Sequence, residues 1–342
     1  MKLARIHQHG GPDVLVYEDA PEPTIKANQV LVRVRASALN HVDLFVRAGI
    51  PGMKIPMPHV LGCDIAGEVV AVGELCERVK PGWRVLLSPG LSCRQCEQCL
   101  AGQDNLCRRY TMFGYGVDGG NTELLAAPEY SVIQIPDDLG FEEAAATPLV
   151  FLTAWHMLMA RARLQPGEDV LVLAASSGVG QAAIQIAKMF QCRVIATAGG
   201  EEKLAKARGL GADHVIDHYQ QDISAEVKKV TGKRGVDVVI EHVGTATWAK
   251  SLESLAPAGR LVTCGATTGY DARVDLRFLF SKQWSLLGSF MGTMGELHQV
   301  LKFVFRKQLR PVVDRVYPLA EIRAAHERLE RKEQFGKVVV TP

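Results

Sequence analysis

Over the first 148 residues the apolar positions come in short β-branched runs broken by Gly and Pro, such as Val30-Leu31-Val32-Arg33-Val34 and Gly67-Glu68-Val69-Val70-Ala71-Val72-Gly73. This pattern predicts a strand-rich, partly antiparallel or barrel-like domain. Past Pro166-Gly167 the texture changes to strand, helix, strand, helix. Val170-Leu171-Val172-Leu173-Ala174 is a continuous apolar run and predicts a buried strand, followed by a helix from Gly180 to Phe190. Further strands are predicted at Arg193 to Thr197, His214 to Asp217, Asp237 to Glu241, Arg260 to Cys264 and Ser285 to Ser289. Six apolar strands separated by helices imply an α/β, doubly wound parallel sheet of the Rossmann kind, covered on both faces. The tail returns to a helix (Met294 to Arg306) and a last strand (Lys337 to Thr341), which we place back on the first domain. The expected organisation is therefore residues 1–148, then 149–288, then a return over 289–342.

Length and composition narrow the class. A chain of 342 residues exceeds the usual size of one core. The net charge of +2 gives no electrostatic case for nucleic acid or an acidic membrane surface. The start, Met1-Lys2-Leu3-Ala4-Arg5-Ile6-His7, turns polar at once, and no stretch approaches the ~20 apolar residues of a spanning helix. The expected location is the cytoplasm and the expected partner a small-molecule substrate. Eight cysteines without a secretory signal read as metal ligands and scattered thiols rather than disulfides.

Four of those cysteines lie close together as Cys93-x2-Cys96-x2-Cys99-x7-Cys107. Four thiolates with no vacant position define a structural zinc site, one ion per chain, in a lobe of about residues 88–110. Iron–sulfur ligation is the competing chemistry at such spacings.

The strand ending at Ala174 runs into Ala175-Ser176-Ser177-Gly178-Val179-Gly180 and then a helix. Small residues let the backbone approach a pyrophosphate, and the helix N-terminus supplies free N–H groups, so Ser177, Gly178, Val179 and Gly180 are expected to hold a dinucleotide. The second strand ends Thr197-Ala198-Gly199-Gly200, without the acid that usually takes the ribose 2′-OH of NAD. Lys203 follows, and His218 ends the next strand. That pattern favours NADP(H) over NAD(H), because a 2′-phosphate is welcome beside a cation.

At this point the residues resemble the medium-chain dehydrogenase/reductase superfamily over the whole length. The marks are His9-Gly10-Gly11-Pro12-Asp13, Asn40-His41-Val42-Asp43, Gly62-Cys63-Asp64 with Gly67-Glu68-Val69, Lys80-Pro81-Gly82, the cysteine lobe, and Gly336-Lys337-Val338. The resemblance implies a GroES-like catalytic domain carrying the zinc lobe, beside the dinucleotide-binding domain. It implies that His41 and Lys337 meet the pyrophosphate, that Thr153 offers a hydroxyl beside the nicotinamide, and that the backbone around Gly265, Ser289 and Met291 meets the carboxamide. It also implies association of two subunits along the sheet edge, giving a homodimer or homotetramer.

The departures from the pattern matter most. The positions that ligate the catalytic metal in zinc alcohol dehydrogenases are Asn40, Cys63 and, by count, Leu149, and Val42 replaces the proton-relaying hydroxyl. The sequence thus looks like the quinone- or enoyl-reductase branch: hydride transfer to a conjugated electrophile without catalytic zinc, with Asn40 as an oxyanion donor or a residue positioning the nicotinamide, and Tyr115 as a weaker donor candidate. Two rivals stand beside this reading. One is a zinc-dependent alcohol dehydrogenase or ketone reductase whose metal has moved to the corner of His59, Cys63 and Asp64, with His41 near; the other is a non-catalytic NADPH-binding redox sensor.

Overall fold

The computed structural model describes all 342 residues, Met1–Pro342, and its contacts divide them into two compact units. The first comprises Met1–Leu149 and Thr293–Pro342, the second Val150–Gly292. No helix is long and apolar enough to cross a membrane.

The first unit is built on a seven-stranded sheet. Its path runs Val132–Gln134, Arg84–Leu87, Asp64–Val72, Gln29–Ala38, Lys337–Thr341 and Val313–Pro318, with Leu124–Pro128 also paired to Gln29–Ala38. The ten-residue strand Gln29–Ala38 alternates buried and less buried positions at first, then ends in fully buried Ala36, Ser37 and Ala38. Small side chains there let neighbouring segments close over both faces. In the register Ala38 pairs with Asp64 on one side and with Val339 on the other. Three stretches far apart in sequence, Ala38–Asn40, Cys63–Asp64 and Lys337–Val339, are thereby brought side by side.

One apolar core fills the sheet with Val30, Val32, Val34, Ile65, Val69 and Val85. Another joins Ala4, Ile6, Leu15, Leu39, Leu44 and Val46 to the tail residues Ile322, Ala325 and Leu329. That second core seats the helix His41–Ala48, whose Asp43 takes the backbone N–H of Asn40 at 2.7 Å and so fixes the helix start.

The second unit is a six-stranded, wholly parallel sheet. Its order is His214–Asp217, Arg193–Ala198, Asp169–Val172, Val236–Glu241, Leu255–Thr263, Ser285–Gly288. This is the doubly wound order expected from the six apolar runs. The fifth strand begins earlier than Arg260 because Ala258, with φ +61°, and a register shift between Val236 and Val238 keep an irregular stretch paired. The core holds Leu171, Leu173, Ile195, Ile216, Val239 and Leu261, all buried.

Candidate active site

The register described above assembles a buried polar cluster in the first unit. The Lys337 ammonium donates to Asp64 Oδ2 at 2.9 Å and to Asn40 Oδ1 at 2.5 Å. Asn40 Nδ2 donates to the same Asp64 oxygen at 2.9 Å, and faces Cys63 Sγ at 3.2 Å and the Ala38 carbonyl at 3.3 Å. The other Asp64 oxygen accepts the backbone N–H of Leu149 at 2.8 Å. Asp43 lies beneath, accepting N–H groups from Asn40 and, at 2.8 Å, Gly62. Burial pushes the Asp43 carboxyl up to about 6, against the two N–H groups that hold it down. Burial first, then the nearby Asp43 and Asp64 carboxylates, push the Cys63 thiol well above its usual range.

This cluster corrects two sequence assignments. Asn40 is not a free oxyanion donor: its amide oxygen is taken by Lys337 and its N–H groups are spent on Asp64, Cys63 and Ala38. The Lys337 ammonium is not presented to a pyrophosphate. It is 2% exposed, and its charge is matched by Asp64 within its own unit. Tyr115 packs with Val42, Met53 and Met57 on the apolar core, which gives its ring a packing role.

The residues corresponding to a catalytic zinc site do not fit the metal. Asn40 offers an amide already bonded to a cation, Cys63 a sulfur that faces the Asn40 N–H, and Leu149 only its backbone. The alternative corner does not assemble either. His59 pairs with Asp118 at 3.5 Å, and the one group of side chains placed to share a metal ion is the cysteine quartet. His41 opens its helix with its ring tilted against Phe45.

In the cysteine lobe the sulfurs of Cys93, Cys96, Cys99 and Cys107 all lie within 4.8 Å of one another. The short helices Glu97–Leu100 and Asp104–Leu106 bend the chain so that the four side chains converge. Backbone N–H groups of Cys93 and Arg109 donate to Cys107 Sγ at 3.4 and 3.3 Å. The Gln95 N–H leads the effects that bring Cys93 down to about 5. N–H donors around clustered thiolates are the surroundings a structural zinc requires. The lobe is tied to the returning chain by Asp104, which accepts the Met294 N–H at 3.0 Å.

The second unit presents the glycine-rich turn. Ala174 adopts φ +46°, and a Cβ on Gly180 would sit 2.4 Å from the Ala174 carbonyl, so glycine is required for this close approach. Ser177 caps the twelve-residue helix Gly178–Met189 by accepting the Gly180 N–H at 2.9 Å, with Gly178 and Val179 in its first turn. Thr153 Oγ1 and Ser289 Oγ are buried without a protein partner. Gly265 lies against the His242 backbone, and Met291 has φ +51°. Unpartnered hydroxyls of this kind suit the polar groups of a dinucleotide.

At the end of Arg193–Ala198 no carboxylate follows directly. Gly199 is covered instead by Tyr219, whose ring a Cβ at Gly199 would approach to 2.2 Å. His218 meets that ring edge-on, with centroids 4.5 Å apart. Asp217, paired with Ala198 in register, accepts the Tyr219 N–H at 2.9 Å. Lys203 stands in the first turn of Glu201–Gly209, where Glu201 and Glu202 pair with Arg208 and Lys206.

Sequence reasoning missed Glu241. It is fully buried and accepts the N–H groups of Val243 and Gly244 and the hydroxyls of Thr247 and Ser251. An acid ending a buried strand just before a glycine was the signal available.

Comparison with known proteins completes the picture. Residues 26–137 match the alcohol dehydrogenase GroES-like domain and residues 178–306 match zinc-binding dehydrogenases. A quinone oxidoreductase from Homo sapiens is 30% identical over 336 residues, 96% of this chain and 94% of that one. The chain belongs to the medium-chain dehydrogenase/reductase superfamily. An NAD-dependent alcohol dehydrogenase from Sulfolobus acidocaldarius is 32% identical over 350 residues, covering 99% of both chains. A solved structure titled NAD-dependent alcohol dehydrogenase is 45% identical, with a TM-score of 0.97 and full coverage of both chains. This member of the superfamily is an oxidoreductase with a Rossmann-like sheet, a GroES-like domain and a cysteine cluster that could bind a structural metal.

Proposed function

We propose that the protein reduces a conjugated electrophile (a quinone, an enone or an enoyl thioester) with NADPH and without a catalytic zinc. One observation carries this reading: where zinc alcohol dehydrogenases of the superfamily ligate their metal, this chain has the closed Asn40–Asp64–Lys337 cluster. Its donors and acceptors already satisfy one another. With no Lewis acid to polarise a carbonyl, a substrate whose own conjugation spreads the developing charge is favoured.

The cofactor, when bound, supplies the hydride. The Gly178–Met189 helix terminus and Ser177 would hold its pyrophosphate, and the Thr153 and Ser289 hydroxyls would take polar groups at the nicotinamide end. The preference for NADP(H) rests on the absence of an acid after Ala198, with Lys203 in the following helical turn and His218 beside Tyr219. Proton delivery needs no protein acid in this scheme, because water can protonate a delocalised product.

The alternative is an alcohol dehydrogenase, which the names of several relatives favour. One assay series separates the two. Metal-analysed protein should oxidise NADPH with enones or quinones, should turn over ethanol and benzyl alcohol poorly, and should resist brief chelation. NADPH should bind more tightly than NADH, and Lys203→Ala should lower NADPH affinity by roughly tenfold, as for a lost charge-assisted contact. Fast, chelator-sensitive oxidation of simple alcohols with enones untouched would overturn the proposal. Equal affinity for the two cofactors, or a preference for NADH, would overturn its NADP(H) part.

A further inference from the structure

His242 follows the buried strand Val236–Glu241, and its ring reaches the glycine-rich turn of the neighbouring strand. Its Nε2 lies 3.1 Å from the Leu173 carbonyl and 3.3 Å from Ser177 Oγ. A carbonyl oxygen only accepts, so Nε2 carries the hydrogen and donates. Burial keeps the ring below its usual pKa, hence neutral, with one N–H to give. Ser177 Oγ therefore faces two N–H groups, the Gly180 N–H at 2.9 Å and this Nε2–H, whose single hydrogen is shared with the Leu173 carbonyl in a three-centre arrangement. A hydroxyl has two acceptor sites and one hydrogen. With both acceptor sites turned to N–H groups, the Ser177 hydrogen can point only outward, from a half-buried residue at the mouth of the turn. An outward hydroxyl hydrogen beside the N–H groups of a helix start matches an anionic oxygen.

We propose that His242 is a positioning residue for the cofactor: it fixes Ser177 as a pure hydrogen-bond donor to a pyrophosphate oxygen of the dinucleotide. This rests on the dinucleotide-binding part of the reading above. The Nε2 position is decisive, which separates the role from simple packing. Glutamine can place an amide N–H near that of Nε2, whereas asparagine reaches only as far as Nδ1.

The test measures NADPH affinity by fluorescence titration, with thermal unfolding alongside, for wild type, His242→Gln, His242→Asn, Ser177→Ala and the His242→Asn/Ser177→Ala pair. His242→Gln should stay within about threefold of wild type. His242→Asn and Ser177→Ala should each raise the Kd by roughly tenfold, and the double variant should be no worse than Ser177→Ala alone. Equal behaviour of the Gln and Asn variants would overturn the inference, as would additive losses in the double variant. If His242→Asn fails to fold, Ser177→Thr, which keeps the hydroxyl, should bind like wild type; binding as weak as that of Ser177→Ala would overturn it. A wild-type protein that bound neither NADPH nor NADH would bring down the cofactor reading and this inference together. Tight wild-type binding without the Gln/Asn contrast would bring down the inference alone.

Discussion

Lys337 Nζ lies 2.9 Å from Asp64 Oδ2, and the two side chains are 2% and 0% exposed. They are 273 residues apart in sequence and meet only because both strands flank Gln29–Ala38. Breaking one side of such a buried pair strands the other charge, at a cost of about 3–5 kcal/mol, while removing both charges is far cheaper. Lys337→Met should therefore lower the unfolding free energy by that order in urea titration. Lys337→Met combined with Asp64→Asn should recover a large part of it. Strictly additive losses around the double-mutant cycle would show that the pair is not coupled.

Asp43 gives a pH dependence of definite sign. Its carboxyl is raised to about 6 in the folded protein from 3.8, so the folded state holds this proton more tightly than the unfolded chain does. Its contribution to stability is then greatest below about pH 4, falls as pH rises from about 4 to about 6, and is level above that. The difference in unfolding free energy between wild type and Asp43→Asn should decrease across that window, by about 2–3 kcal/mol. A difference that grew with pH would contradict the assignment.

The cysteine lobe predicts metal stoichiometry. Elemental analysis should return about one zinc per chain, and two tightly held zincs would contradict the proposal that the active site works without one. Cys96→Ser should lose that metal and lower the melting temperature, because closed thiolate sites contribute to folding directly. Full metal and unchanged stability in that variant would refute the assignment.

We also propose that the protein is a homodimer, or a tetramer built from it. The strand Ser285–Gly288 pairs on one side only, with Leu255–Thr263, and Leu276, Phe278 and Phe280 are exposed on the helix just before it. An open strand edge beside apolar side chains needs cover. Light scattering at micromolar concentration should give at least twice the chain mass, and Phe280→Glu should weaken the association while leaving the fold intact. A monomeric wild type would refute the proposal.

Much of the fold was legible because its signals are local. Continuous apolar runs mark strands buried on both faces, and the four cysteines fall within fifteen positions of one another. The polar cluster was not legible, because its members come from positions 40, 43, 63, 64, 149 and 337 and meet only through sheet register. Read singly, Asn40 suggested a donor and Lys337 a loose cation. Only with Asp64 and Cys63 in place is it visible that the hydrogen-bonding groups of Asn40 are spent. His242 reads from the sequence as a packed or capped histidine for a related reason, since its contact with Ser177 is visible only in the fold.

The first unit is interrupted in sequence by the second, and its strand Lys337–Thr341 follows the whole of that insertion. During synthesis from the N-terminus, every segment of the Rossmann-like sheet emerges before the strand that completes the older unit. Asp64 must wait, without its counter-charge, until Lys337 has left the ribosome. The order of maturation is thus inverted: the inserted unit can finish folding first, and the unit that began the chain is sealed last.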